Sequence, residues 1–324
     1  MKYYFQSIPI PMSGVMLAFV SLANLLHALD VTIPAHISFF IGIVLFLSLI
    51  GKLIFATKTV VAEMQNPIIA SVSPTFTMGT LSLSSGLANY GVHSVVIHTL
   101  WILAAVTQFF IIIYFLKAFI WKKGLTLANI FPSWLILFVG VAVMPLTARD
   151  LSGRFTQTVL IFAICAFLII VPIVILRGFI RKDLPEPTIP MLAILTAPAS
   201  LCLLAYFVQF NSSLAVILTL YTVAQLLFFL VLTKLPSILK LPFYPSYAAL
   251  TFPLVITATA TNEFIHAFSF EGTIKTVLTA YFALQLLLAI CIVVYVLIRY
   301  VNYLSVQIKQ KRALATKNNQ TALS

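Results

Sequence analysis

The sequence predicts an all-α membrane protein of ten transmembrane helices, paired as five quasi-symmetric hairpins around a central path. Three observations carry this. First, 62% of the 324 residues are hydrophobic and only 8% are charged. A soluble domain carries about 25% charged residues, so the apolar surface here must face lipid. Second, apolar runs of about 20 residues follow one another, each long enough for a hydrocarbon core about 30 Å thick. Third, proline recurs inside alternate runs at a nearly constant interval.

The runs are Pro11–Leu29, Pro34–Ala56, Ile68–Ala88, Val92–Leu116, Leu127–Thr147, Phe155–Leu176, Thr188–Val208, Ser213–Leu232, Phe243–Ile265 and Thr276–Ile298. The third and ninth are the least apolar. Residues 1–303 form the transmembrane domain, and 304–324 read as a basic, frayed cytoplasmic tail. The N-terminus offers Lys2 and then Tyr-Tyr-Phe, with no short apolar core before a small-residue cleavage site. It reads as the start of the mature chain.

Charge placement orients these spans. The net charge is +12, which alone could suggest nucleic acid. With an even number of spans, however, sixteen of the nineteen Lys and Arg residues fall on the side of the termini, and only Arg149, Arg154 and Lys275 fall on the other. The positive-inside rule then puts both termini in the cytoplasm, with the chain multi-pass in the plasma membrane. An odd count would scramble the split. The basic residues are topological signals beside lipid, so no nucleic-acid partner is expected.

Proline within a helix removes a backbone donor and strands a carbonyl, at a cost of about 3 kcal/mol or more in water. Pro11, Pro74, Pro132, Pro198 and Pro253 all lie in the termini-side part of odd-numbered runs, at spacings of 63, 58, 66 and 55 residues. Pro172 is the clear internal proline of the even runs. The odd runs are also rich in hydroxyls: Ser71, Ser73, Thr75, Thr77, Thr80, Ser82, Ser84 and Ser85 in the third, and Thr251, Thr257, Thr259 and Thr261 in the ninth. Such groups are tolerated at membrane depth where they face protein or water rather than lipid. The pattern therefore predicts bent, hydroxylated helices standing in an inner ring, with straight apolar partners outside. The competing reading is ordinary hairpin packing, with small residues serving only helix contact.

Several stretches also resemble a known family. They are Ile10-Pro11-Met12-Ser13-Gly14-Val15, Glu63-Met64-Gln65-Asn66-Pro67 leading to Ser73-Pro74-Thr75-Phe76-Thr77-Met78, Ala197-Pro198-Ala199-Ser200, and Thr251-Phe252-Pro253. In this order and on these spans they are similar to the tellurite-resistance/dicarboxylate transporter family. That family includes bacterial tellurite resistance protein A, fungal malate and sulfite carriers and plant slow anion channels. The resemblance runs from Ile10 to about Tyr300. It implies five hairpins around a central pore, a homotrimer, and a path for small anions lined by the odd helices. It also implies that a phenylalanine on the ninth helix, here Phe252, plugs the pore.

No Lys or Arg sits in the middle of an odd span. A fixed charge there would cost roughly 2.5–3.5 kcal/mol on insertion scales and would hold an anion too tightly. An anion path would then rely on partial charges, and the candidate donors are Ser13, Thr75, Ser133, Ser200 and Thr257. Each could instead bond a carbonyl of its own helix. Phe252 would close the path by bulk and dewetting, unless it packs laterally between helices. Phe76 is a second pore phenylalanine to consider. Pro11, Pro74, Pro132, Pro198 and Pro253 are the helix-bend positions.

Glu63, before the third span, and Glu263, at the outer end of the ninth, are the carboxylates that a proton-linked carrier could use. Both can equally be solvated interfacial groups. Gln108 and Gln225 are expected to bridge helices. Cys165, Cys202 and Cys291 stand alone in apolar runs and read as small core residues. No cofactor or metal is expected, and His93 and His98, five apart, do not share a helix face. The motifs GxSxG, HExxH, GxGxxG and GxxxxGK[ST] do not occur, so no enzyme reading has a foothold. Two functions remain: a gated anion channel, or a proton-linked carrier of a C4-dicarboxylate such as malate, or of sulfite.

Overall fold

A computed structural model describes residues 2–122, 124–210 and 213–321, and their regular elements are helical throughout. Ten helical segments follow the predicted order. They are α1 (Ile10–Ala28), α2 (Thr32–Phe55), α3 (Pro67–Val72 continuing as Pro74–Leu87), α4 (Ser94–Trp121) and α5 (Trp134–Thr147), then α6 (Arg154–Arg181), α7 (Glu186–Gln209), α8 (Leu214–Leu232), α9 (Pro245–Phe268) and α10 (Gly272–Thr321). Eight of them are long and apolar enough to cross a membrane. The other two are α3, broken at Ser73, and α5, of 14 residues. Most edges fall within a few residues of the apolar runs. Helix α5 begins seven residues later than its run, because 127–133 form a short 3-10 turn and an irregular approach.

The helices sort into two rings. Helix α1 packs on α3, α3 on α5, α5 on α7, α7 on α9, and α9 returns to α1. Outside them α2, α4, α6, α8 and α10 each lie against their odd-numbered predecessor. In α1, α7 and α9, 83% of the most apolar window is buried; in the five even helices only 33–39% is. Each even helix also presents a large apolar side chain that is about two-thirds exposed, namely Phe40, Phe110, Leu168, Leu226 and Leu284. Surfaces like these have no aqueous solution, and the outer helices face lipid. The chain is an integral, multi-pass membrane protein.

All five repeating prolines are buried in the inner ring, whereas Pro172 is exposed on α6. Their local role differs from the bend predicted. Pro74, Pro198 and Pro253 occupy the first turn of an α-segment that follows a break or a 3-10 stretch; Pro11 lies in the 3-10 turn Ile10–Met12 that starts α1, and Pro132 lies two residues before α5. A helix's first turn has no internal acceptors for its N–H groups, so proline there removes a donor that was already unpaired. The prolines therefore mark restarts of the odd helices, and the interior-helix penalty does not apply.

Two other expectations change. Cys165 and Cys291 are exposed on outer helices; only Cys202 is a core residue. The helix of α10 does not fray after Tyr303 but continues to Thr321. At 1.5 Å per residue its 50 residues span about 75 Å, far more than a bilayer requires. Near its end Lys311 Nζ donates to the carbonyl of Gln6 at 2.6 Å. Both chain ends are thereby tied together on one face, called here the near side.

Candidate functional site: two cavities inside the helix ring

Two cavities lie along the axis of the inner ring. The near-side cavity is lined from all five odd helices and none of the even ones. Its wall includes Pro11 and Gly14 of α1, Thr75 and Met78 of α3, Leu135 and Gly140 of α5, Pro198 and Leu201 of α7, and Ala248, Phe252 and Pro253 of α9. The far-side cavity is lined by Ser21, Asn24, Ser82, Ser85, Thr259 and Glu263 among others, contributed by α1, α3, α5 and α9. Phe252 is the one residue common to the two linings.

The local fold explains why Phe252 stands there. The 3-10 stretch Pro245–Leu250 ends at Thr251, and the α-segment of α9 starts at Phe252 with Pro253 behind it. Thr251 is fully buried, and its hydroxyl reaches the carbonyls of Ala248 (2.7 Å) and of Gly14 on α1 (3.2 Å). Gly14 must be small for this approach: a Cβ there would lie 3.2 Å from that of Ala248. From Phe252 one face of α9 runs through Ile256, Thr259 and Glu263, all on the far-side cavity. The steps of 4, 3 and 4 residues keep a single helical face.

The predicted donors occupy a different place. Ser13 Oγ and Thr75 Oγ1 meet at 2.6 Å between α1 and α3, Ser71 and Ser133 at 2.7 Å between α3 and α5, and Ser200 and Thr257 at 3.3 Å between α7 and α9. The Thr251 hydroxyl adds a bond between α9 and α1. Ser13, Thr75, Ser200 and Thr257 also donate to carbonyls of their own helices. Of the five, only Thr75 lines the near-side cavity; Ser13, Ser133, Ser200 and Thr257 are buried between helices. Interhelical bonds in membranes average about 0.6 kcal/mol. A double-mutant cycle of Ser13→Ala and Thr75→Val, read by thermal unfolding in detergent, should return a coupling of that size.

Among the other predicted positions, Phe76 stacks on Phe46 of α2 with centroids 5.8 Å apart and planes 5° apart, and is in neither lining. Pro11, Pro198 and Pro253 line the near-side cavity; Pro74 and Pro132 do not. Glu63 is held at the near-side surface, 2.7 Å from Lys52 Nζ. Gln108 accepts from Thr77 across the α3–α4 hairpin. Gln225 joins α8 to Thr261 of α9 (3.3 Å) and to Tyr281 (2.7 Å) and Gln285 (2.9 Å) of α10.

The sequence reading overlooked the small and apolar wall, notably Gly14, Met78, Gly140 and Ala248, and the Ile256–Thr259 face. A signal for the hydroxyl pairs was present: partners are separated by 62, 62 and 57 residues, the length of one hairpin repeat. Equivalent hydroxyls in successive repeats face one another.

No curated protein matches the chain at a significant level. A family model described as voltage-dependent anion channel (SLAC1) matches residues 7–300, which covers all ten helical segments as far as the membrane part of α10. With this match, over a closed inner ring of helices inside a lipid-facing ring, the chain belongs to the SLAC1 voltage-dependent anion channel family.

Proposed function

We propose that the protein passes small anions through the middle of the inner ring, and that Phe252 is the gate. The observation that carries this is the position of Phe252 between the near-side and far-side cavities, in the lining of both. Its side chain is 6% exposed, so it fills the neck between two open spaces. An aromatic ring in an apolar neck excludes water as well as ions. The near-side cavity offers no fixed charge, and its polar side chains are Thr75 and Ser246, the latter committed to the carbonyl of Pro187 at 2.5 Å. A path of this kind binds an anion weakly and lets it leave. Each of the ten helical segments serves as a span, and the termini, with the near-side cavity, face the cytoplasm, as the sixteen-to-three division of basic residues supports.

The test is flux in vesicles reconstituted with purified protein. Chloride and nitrate should move down their electrochemical gradients, in wild type slowly, with no response to an imposed pH gradient. Uptake of malate or sulfite that occurs only when a pH gradient drives it would replace the channel with a proton-linked carrier. Absence of any protein-dependent anion movement, also in the opened variant described in the Discussion, would remove the conduit.

A further inference from the structure

Glu263 stands out on a count of charges. Among the described residues, no ionisable side chain lines the near-side cavity, and Glu263 is the single one lining the far-side cavity. It is three helical turns beyond Phe252 on the same face of α9, about 16 Å along the axis at 1.5 Å per residue. The basic residues of the far side, Arg149, Arg154 and Lys275, are not in that lining. No ion pair among the described residues involves Glu263. Two of the neighbouring polar side chains have commitments of their own: Asn24 Nδ2 donates to the carbonyl of Ser82 (3.1 Å) and Thr259 to that of Val255 (3.0 Å). The carboxylate is only partly exposed, so its field is screened less than that of a surface group.

We propose that Glu263 is a charge filter at the far-side mouth, which discriminates against multivalent anions and favours monovalent ones. This rests on the conduit reading above. An anion crossing the far-side cavity passes within several Å of a like charge. Coulomb's law for unit charges at that distance, in a partly hydrated space, lowers local anion occupancy by about tenfold. Repulsion scales with the charge of the ion, so a divalent anion is depleted by about a hundredfold. The near-side cavity has no counterpart, so the two mouths are electrostatically unequal and open-channel current should rectify.

The experiment is made in the Phe252→Ala background, in planar bilayers at low ionic strength and fixed pH 8. Glu263→Gln should reduce rectification and increase anion current drawn from the far side several-fold. It should also lower the chloride-to-sulfate permeability ratio, read from bi-ionic reversal potentials, by about tenfold. Glu263→Asp, which retains the charge, should stay near the parent, and added salt at 1 M should erase the difference because the screening length falls to about 3 Å. Identical rectification and reversal potentials for Glu263→Gln and its parent at low salt would overturn the filter while leaving the conduit standing. An equal change in Glu263→Asp and Glu263→Gln would assign the residue a packing role and overturn the filter as well. If the Phe252→Ala parent itself passes no anion current, it is the conduit reading that fails.

Discussion

Phe252→Ala should raise anion flux through reconstituted protein by at least tenfold over wild type, the largest functional effect of any single substitution in this chain. The side chain removed lines both cavities, so on the proposed gate its truncation joins them. The backbone around it is held independently of the ring, by the Thr251 hydroxyl on Gly14 and Ala248 and by Pro253 in the first turn. The helix should therefore keep its position when the ring is lost. Truncating a buried phenylalanine typically costs about 3–5 kcal/mol. Here the ring already borders open space on two sides and has fewer contacts to lose, so the cost should fall at or below the lower end. Phe252→Leu, which keeps part of the bulk, should give intermediate flux. Phe76→Ala is the informative control. Phe76 also lies on an odd helix, but it packs on Phe46 of α2, so its loss should destabilise without opening the path. A well-folded Phe252→Ala protein, with a melting transition close to wild type and unchanged flux, would refute the gate.

How much of this was legible in the sequence follows from which physics each feature obeys. The spans, the inner and outer rings and the buried prolines were legible because lipid imposes a one-dimensional rule: apolar length makes a span, and a stranded carbonyl or hydroxyl turns it inward. The roles of Ser13, Ser133, Ser200 and Thr257 were not, since a hydroxyl that points inward can meet either the path or the adjacent helix. Only three-dimensional register decides between them, and it set Ser13 on Thr75 and Ser133 on Ser71. The α5 boundary was missed because residues 127–133 are apolar enough to belong to a span, yet their backbone is irregular. That approach is fixed instead by buried Arg177 of α6, which donates to the carbonyls of Ala128 (3.0 Å) and Ile130 (2.7 Å). Such a contact, nearly 50 residues away in sequence, leaves no local pattern. The gate proposed for Phe252 had only the Thr-Phe-Pro resemblance behind it in the sequence: nothing in composition separates Phe252 from the other 26 phenylalanines.

Lys52→Met should be the most destabilising substitution at the near side, by about 3 kcal/mol, and it settles what Glu63 does. Lys52 is 1% exposed near the end of α2. Its ammonium donates to Glu63 Oε1 at 2.7 Å and to the carbonyl of Ile8, while Glu63 Oε2 accepts the Ile10 N–H at 3.4 Å. One cation and one carboxylate thus hold three segments: the chain entering α1, the end of α2 and the short helix Thr57–Met64 ahead of α3. The carboxylate also lies at the N-terminus of α1, where the helix dipole and unpaired N–H groups favour negative charge. Removing one partner of a buried pair leaves the other uncompensated and typically costs about 3–5 kcal/mol. The 23% exposure of Glu63 lets water take over part of its solvation, which argues for the lower end. Glu63→Gln should cost less, because the amide still offers an oxygen to Lys52. The double variant should be more stable than the sum of the single losses predicts, since a neutral, packed pair no longer strands a charge. Thermal unfolding in detergent measures all three. A carboxylate that carried protons for transport would behave in the opposite way: Glu63→Gln would leave the melting transition in place and abolish uptake driven by a pH gradient. That pattern would move Glu63 from the scaffold to the transport cycle, and it would revive the carrier in place of the channel.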